Sequence, residues 1–110
     1  MATTYKVLGQ QAPGATTATD LYTVPGATQA VVSSIIVCNR SSSATATFRI
    51  SASVAGLATA PKEYIYYDLI IGQNDTFIAT IGLTLGATDK IRIYASTANL
   101  SFTAVGSEIT

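Results

Sequence analysis

The chain holds no histidine and a single cysteine, Cys38. Histidine is the commonest general base and a favoured zinc ligand, so its absence removes both roles together. Cys38 has no imidazole to take its proton. One cysteine without histidine is too small a ligand set for a structural zinc site. Acid–base work would fall to six carboxylates, Asp20, Glu63, Asp68, Asp75, Asp89 and Glu108. Glu63 and Asp68 are the obvious candidate pair. Their odd separation puts them on opposite faces of one strand, which spoils the two-carboxylate arrangement of glycoside hydrolysis. Asn74-Asp75 and Thr88-Asp89 offer oxygen ligands for calcium, but no EF-hand spacing accompanies them, and turn formation is the simpler role. No glycine-rich phosphate loop is present. Asn39, Asn74 and Asn99 each begin an Asn-x-Ser/Thr pattern, which in so Ser- and Thr-rich a chain carries weight only beside a secretion signal. No catalytic residue, metal ligand or cofactor site is expected, and the chain reads as a non-enzyme.

The remaining chemistry is that of binding. Tyr64, Tyr66 and Tyr67 lie close together in KEYIYYDLII, residues 62–71. Such a group either makes a sticky recognition face or packs at a sheet edge with its hydroxyls in water.

The surroundings are neutral. The 110 residues carry a net charge of zero, and only 11% are charged. There is no basic patch, so nucleic acid is not an expected partner. A weakly repelling surface rich in Thr, Ser and Ala suits packing against other protein. No window holds the roughly 18 uninterrupted apolar residues of a membrane span. Residues 1–20 lack a basic start followed by an apolar run, so no secretion signal is expected.

Elements that would position these groups follow from periodicity. Residues 28–53 read as a β-hairpin at the centre of the core. Its first arm, residues 29–38, is apolar on both parities: Val31, Ile35 and Val37 on one, Ala30, Val32, Ile36 and Cys38 on the other. Its second arm alternates, with Phe48, Ile50 and Ala52 inward and Thr47, Arg49 and Ser51 outward. Asn39-Arg40-Ser41-Ser42-Ser43 supplies the turn.

The rest of the chain is organised around that pair. Residues 4–9 and 20–24 are short strands, the second closed by Pro25-Gly26. Between them QQAPGATTAT, residues 10–19, has no apolar period. It reads as a flexible arm or long loop, or as a surface crossing between two sheets. Residues 54–61 form a small-residue loop, where Gly56 argues against helix. In the aromatic strand Ile65, Tyr67, Leu69 and Ile71 share one parity, and Tyr64, Tyr66 and Asp68 the other. Residues 76–81 form a strand, Gly82 and Gly86 mark a bend or bulge, and residues 90–95 and 100–105 are the last strands. The count is about eight short strands with Gly, Pro, Asn or Asp at the joints and no helical period. The fold class is all-β: one antiparallel β-sandwich, jelly-roll-like, over residues 1–110.

Three stretches carry a resemblance: LYTVPGATQAVVSSIIVCNRSSSATATFRI (residues 21–50), KEYIYYDLIIGQNDTFIATIGLTLGATDKIRIYAS (residues 62–96) and LSFTAVGSEI (residues 100–109). Their most specific parts are LYTVP, VCNRS and YIYYD. In these stretches the chain resembles small virion structural proteins of tailed bacteriophages, including cyanophages. The resemblance implies a β-sandwich module attached to a particle, with no catalytic residues. A capsid decoration (cement) protein is the first expectation, bound to the major capsid protein or another virion protein. Such a protein would sit on the virion as a homo-oligomer, with a trimer matching the threefold positions of a shell. Gln10, Gln11 and Pro13 of the arm and Tyr64, Tyr66 and Tyr67 of the aromatic strand are the expected contacts. A tail, neck or baseplate component is the second expectation. A carbohydrate- or receptor-binding module using Tyr64, Tyr66, Tyr67 and Tyr94 is another, and a generic β domain the last.

Overall fold

A computed structural model describes residues 2–110. Eight strands carry the fold: β1 (Thr3–Gln11), β2 (Thr19–Thr23), β3 (Gln29–Asn39), β4 (Ala46–Ser53), β5 (Tyr64–Ile71), β6 (Thr76–Leu85), β7 (Lys90–Ala95) and β8 (Leu100–Ile109). Two short 3-10 turns, Val54–Gly56 and Pro61–Glu63, lie between β4 and β5. Four strands in the order β1-β8-β3-β6 make sheet A, and four in the order β2-β7-β4-β5 make sheet B. All observed strand pairs are antiparallel. The order is that of an eight-stranded jelly roll, which bears out the expected sandwich.

The expected central hairpin does not form. β3 pairs with β6 and β8 in sheet A, whereas β4 pairs with β5 and β7 in sheet B. The two arms face each other across the core instead of lying side by side. The reason is visible at Asn39, a buried residue whose Nδ2 donates to the carbonyls of Ala44, Ile71 and Gly72. These bonds hold the β3–β4 loop against the β5–β6 turn, and the chain is carried over the end of the sandwich. Asn74 N to Ser41 O and Arg40 N to Asn99 O complete the tie among three loops at this end. Phe48 of β4 then meets Phe102 of β8 edge-on and Phe77 of β6 at 5.5 Å, so the aromatic centre of the core is built from both sheets.

Bulges reset the parity of several strands. In β3 the register shifts at Ser33, so Ala30 and Val32 share the core face with Ile35, Val37 and Asn39. The extra residue reverses which parity faces inward. That is why β3 is apolar on both parities in sequence. Residues opposite Ser33 on β6 include Gly82, whose φ of 58° suits a residue without a Cβ. In β5 the shifts fall at Ile65 and at Tyr67-Asp68, and Asp68 has φ 52°.

β1 runs through Gln10 and Gln11, which pair with Thr103 and Phe102. The segment expected as an arm from residue 10 therefore begins at residue 12, and it is the crossing from sheet A to sheet B. Pro13 within it is buried, and Thr16 N donates to Ala95 O at 2.8 Å.

Candidate functional site

Each of the six carboxylates is engaged by the fold. Glu63 accepts from the amides of Ala60 and Val54 and closes the 3-10 turn. Asp89 accepts from Gly86 N and Ala55 N, and Asp75 from Thr76 N. Asp20 pairs with Lys90 at 2.7 Å and Arg92 at 3.1 Å. Asp68 pairs with Arg49, and Glu108 with Lys6. The hydrogen bond from Lys90, ahead of that from Arg92, holds Asp20 below the usual carboxylate range. The Ala60 amide does the same for Glu63. Among the described residues no group of three or more His, Cys, Asp or Glu is placed to hold a metal ion. Nor is any helix among them long and apolar enough to cross a membrane.

The outer face of sheet B gathers aromatic and charged groups. The bulge at Tyr67-Asp68 faces Arg49, setting two residues of β5 against one of β4. Arg49 Nε donates to Asp68 Oδ1 at 2.7 Å and Nη2 to Oδ2 at 3.3 Å. Its guanidinium carbon lies 4.2 Å from the Tyr67 ring centroid and 4.3 Å from that of Tyr94. Tyr64 meets Tyr67 edge-on at 4.9 Å. Tyr64, Tyr67 and Tyr94 thus form one patch around Arg49. Tyr66 is not part of it: the bulges turn its ring inward, 5.3 Å from Phe77 and 6.4 Å from Phe48. Arg92, farther along the face, is consumed structurally. It donates to the carbonyls of Gly56 and Leu57 and to the hydroxyls of Ser53 and Thr59, fastening the β4–β5 connection to the sheet.

The outer face of sheet A is different in kind. The register places Tyr5, Ser107, Val31 and Thr84 in one row across all four strands. Val7, Val105, Ser34 and Thr80 form the next, and Gln10, Thr103, Ile36 and Ile78 the third. Ser101, Cys38 and Thr76 close the face. None of these residues is charged. Lys6, the one charged residue of β1, and Glu108 of β8 lie on the opposite parity and pair with each other. Tyr5 is 83% exposed, Ile78 61% and Val7 52%. Cys38 sits half-buried on this face.

Of the sequence-derived contact residues, Gln10 belongs to the uncharged face, and Tyr64 and Tyr67 to the aromatic patch. Gln11 lies opposite Phe102 on the core-side row, while Pro13 and Tyr66 are turned into the molecule. Sequence reasoning missed the uncharged face because it is assembled from four strands remote in the chain. It also missed Arg49 as the hub of the tyrosines. The alternation of residues 47–51 had placed Arg49 outward, which was the available signal. A third feature is an apolar groove of about 740 Å³ beside the β4–β5 connection, with Val54, Leu57, Ile65 and Leu83 in its lining.

No protein-family model, curated protein or solved structure matches this chain.

Proposed function

We propose that this chain is a non-enzymatic structural protein of a phage virion that binds the outer surface of the capsid shell and stabilises it. The observation that carries the reading is the outer face of sheet A, which spans four strands without a charged side chain and exposes Tyr5, Val7 and Ile78. Docking such a face against another protein strips no ion of its water, so apolar contact and hydroxyl hydrogen bonds are not offset by charge desolvation. A contiguous apolar-and-hydroxyl surface of this kind marks an interaction site more than a free surface. The resemblance of residues 21–50, 62–96 and 100–109 to small virion proteins supports the same reading. The jelly-roll order supports it by analogy alone, since viral capsid domains share that fold with lectins and cupins.

The partner in this reading is the major capsid protein or another virion protein, and the location is the virion. Binding only to the assembled shell favours the assembled form by mass action. Neither nucleic acid, membrane nor cofactor enters the role.

The aromatic patch favours a second reading, a tail, neck or baseplate component or a receptor-binding module. Tyr64, Tyr67 and Tyr94 around Arg49 offer ring faces on which a sugar would stack.

Gold-labelled antibody against the protein, viewed on intact virions by electron microscopy, separates the two. Label spread over the head is the expected result. Label confined to the neck or tail end would replace decoration with the second reading, and unlabelled particles would remove the virion role.

A further inference from the structure

The four sheet edges are not equally protected. β2 is only five residues long, bulged at Leu21 and carries Asp20. β5 has two register shifts and Asp68 at positive φ. β1 carries Lys6, paired with Glu108, and is bulged at Leu8. Short edges, bulges and edge charges are the devices that keep exposed strands from pairing with other chains. β6 is the least protected. Its bulge, at Ile81-Gly82, falls in the second half of the strand, and residues 76–80, TFIAT, are regular, uncharged and free of proline. Among the described residues, no backbone group on the far side of this run has a backbone partner.

We infer that β6 pairs antiparallel with β6 of a second copy of this chain about a two-fold axis at Ile78, joining two four-stranded sheets into one. A row of free N–H and C=O groups is satisfied by another strand edge, and the local sequence is self-complementary in that register. Ile78 meets itself, and Thr76 meets Thr80 of the second copy on the outer face. β-Branched and Thr–Thr cross-strand pairs of this kind are favourable. A two-fold contact uses the same strand twice and closes, so no filament results. The alternative of β6 on β1 would bring Lys6 to the seam. The two-fold contact takes the place of the trimer expected from the sequence. The bulge at Ile81-Gly82 ends the regular run and confines the pairing to residues 76–80. A five-residue strand contact is small beside the roughly 1,600 Å² of a standard interface, so the pair is reversible and forms at high protein concentration.

The test uses the isolated protein and does not depend on a virion role. In a Cys38→Ser background, Ile78→Cys places two thiols directly opposite each other across the axis, within the reach of a disulfide. Thr84→Cys, exposed on the same strand beyond the bulge, has no copy of itself opposite. Under mild oxidation Ile78→Cys is expected to give covalent dimer many-fold faster than Thr84→Cys. Equal rates would mean random collision and overturn the inference. Sedimentation of the wild-type chain should show concentration-dependent dimer that Ile78→Lys abolishes. Ile78 is 61% exposed, so the fold should survive, which circular dichroism checks. A wild-type chain that stays monomeric at millimolar concentration, or a dimer indifferent to Ile78→Lys, would equally overturn it.

Discussion

The Tyr22 hydroxyl of sheet B donates a hydrogen bond of 2.5 Å to Glu108 Oε2 of sheet A, while Lys6 Nζ lies 2.9 Å from the other carboxylate oxygen. Here ionisable side chains of β1, β2 and β8 join the two sheets at an edge. The bond from Tyr22, then that from Lys6, holds the Glu108 carboxyl below its usual range. Burial, and next the bond to Glu108, pushes the Tyr22 phenol well above its own.

These shifts fix how stability follows pH. A carboxylate with a depressed folded pKa contributes stability that is present above its unfolded pKa, about 4.3 for Glu, and lost as pH falls through the folded value. Asp20 and Glu63 act in the same direction. A phenol with a raised folded pKa contributes stability that is present below about 10 and lost as pH rises further. With no histidine in the chain, thermal melts should be flat from about pH 6 to 7.5 and fall on the acid side below about 5. Tyr22→Phe should cost about 1–2 kcal/mol at neutral pH and flatten the alkaline limb. An alkaline limb unchanged by Tyr22→Phe would assign it to another group.

Asn39 should be among the least replaceable polar residues. It is 1% exposed, and its amide serves three carbonyls while Oδ1 accepts from Ser41 N. Asn39→Ala leaves those carbonyls without their donor, at about 1–3 kcal/mol in urea denaturation. Asn39→Asp is worse at neutral pH, since it sets a carboxylate against carbonyl oxygens. Its folded pKa would be raised, so part of the lost stability should return on acidification. An Asp variant whose stability does not rise toward acid would argue against this arrangement.

Much of the fold was legible because strand boundaries are written in turn residues. The strand count, the sandwich and the inward set of β4, β6 and β8 follow from alternation. What was not legible was anything decided by a bulge or by pairing. Ser33 looks like one more polar strand residue, yet it moves Ala30 and Val32 onto the same face as Ile35. Residues 39–43 have the composition of a hairpin turn, yet the two long-range carbonyl contacts of Asn39, to Ile71 and Gly72, make them an over-the-top loop. Alternation alone likewise grouped Tyr66 with Tyr64, while the bulges at Ile65 and Tyr67-Asp68 separate the two. The resemblance to virion proteins suggested a role but no surface, because the uncharged face exists only once four strands are in register.

Two glycines should respond differently to alanine. A Cβ at Gly82 meets nothing within 4 Å, and only the φ of 58° resists it. Gly82→Ala should therefore cost about 1–2 kcal/mol, a backbone penalty alone. A Cβ at Gly106 would lie 2.0 Å from Val31 O. β8 cannot accept it without moving off β3, so Gly106→Ala should abolish cooperative unfolding or lower the melting temperature far more. Similar losses at both sites would mean that the β3–β8 approach relaxes.

The two outer faces make opposite predictions for particle binding. Arg49 spends its charge on Asp68 and its faces on Tyr67 and Tyr94. Its contribution to stability is that of an exposed pair, and Arg49→Ala should cost no more than about 1 kcal/mol. If the shell is bound through sheet A, Tyr67→Ala with Tyr94→Ala should leave co-sedimentation with particles unchanged. Tyr5→Asp with Val7→Asp should abolish it, because two carboxylates would then be desolvated without partners. Both residues are more than half exposed on edge strand β1, so circular dichroism and melting should stay close to wild type. They also lie at the opposite edge of sheet A from Ile78, and the Ile78→Cys cross-link should persist in their presence. Loss of particle binding with the tyrosine pair, and its retention with the two aspartates, would move the docking surface to sheet B.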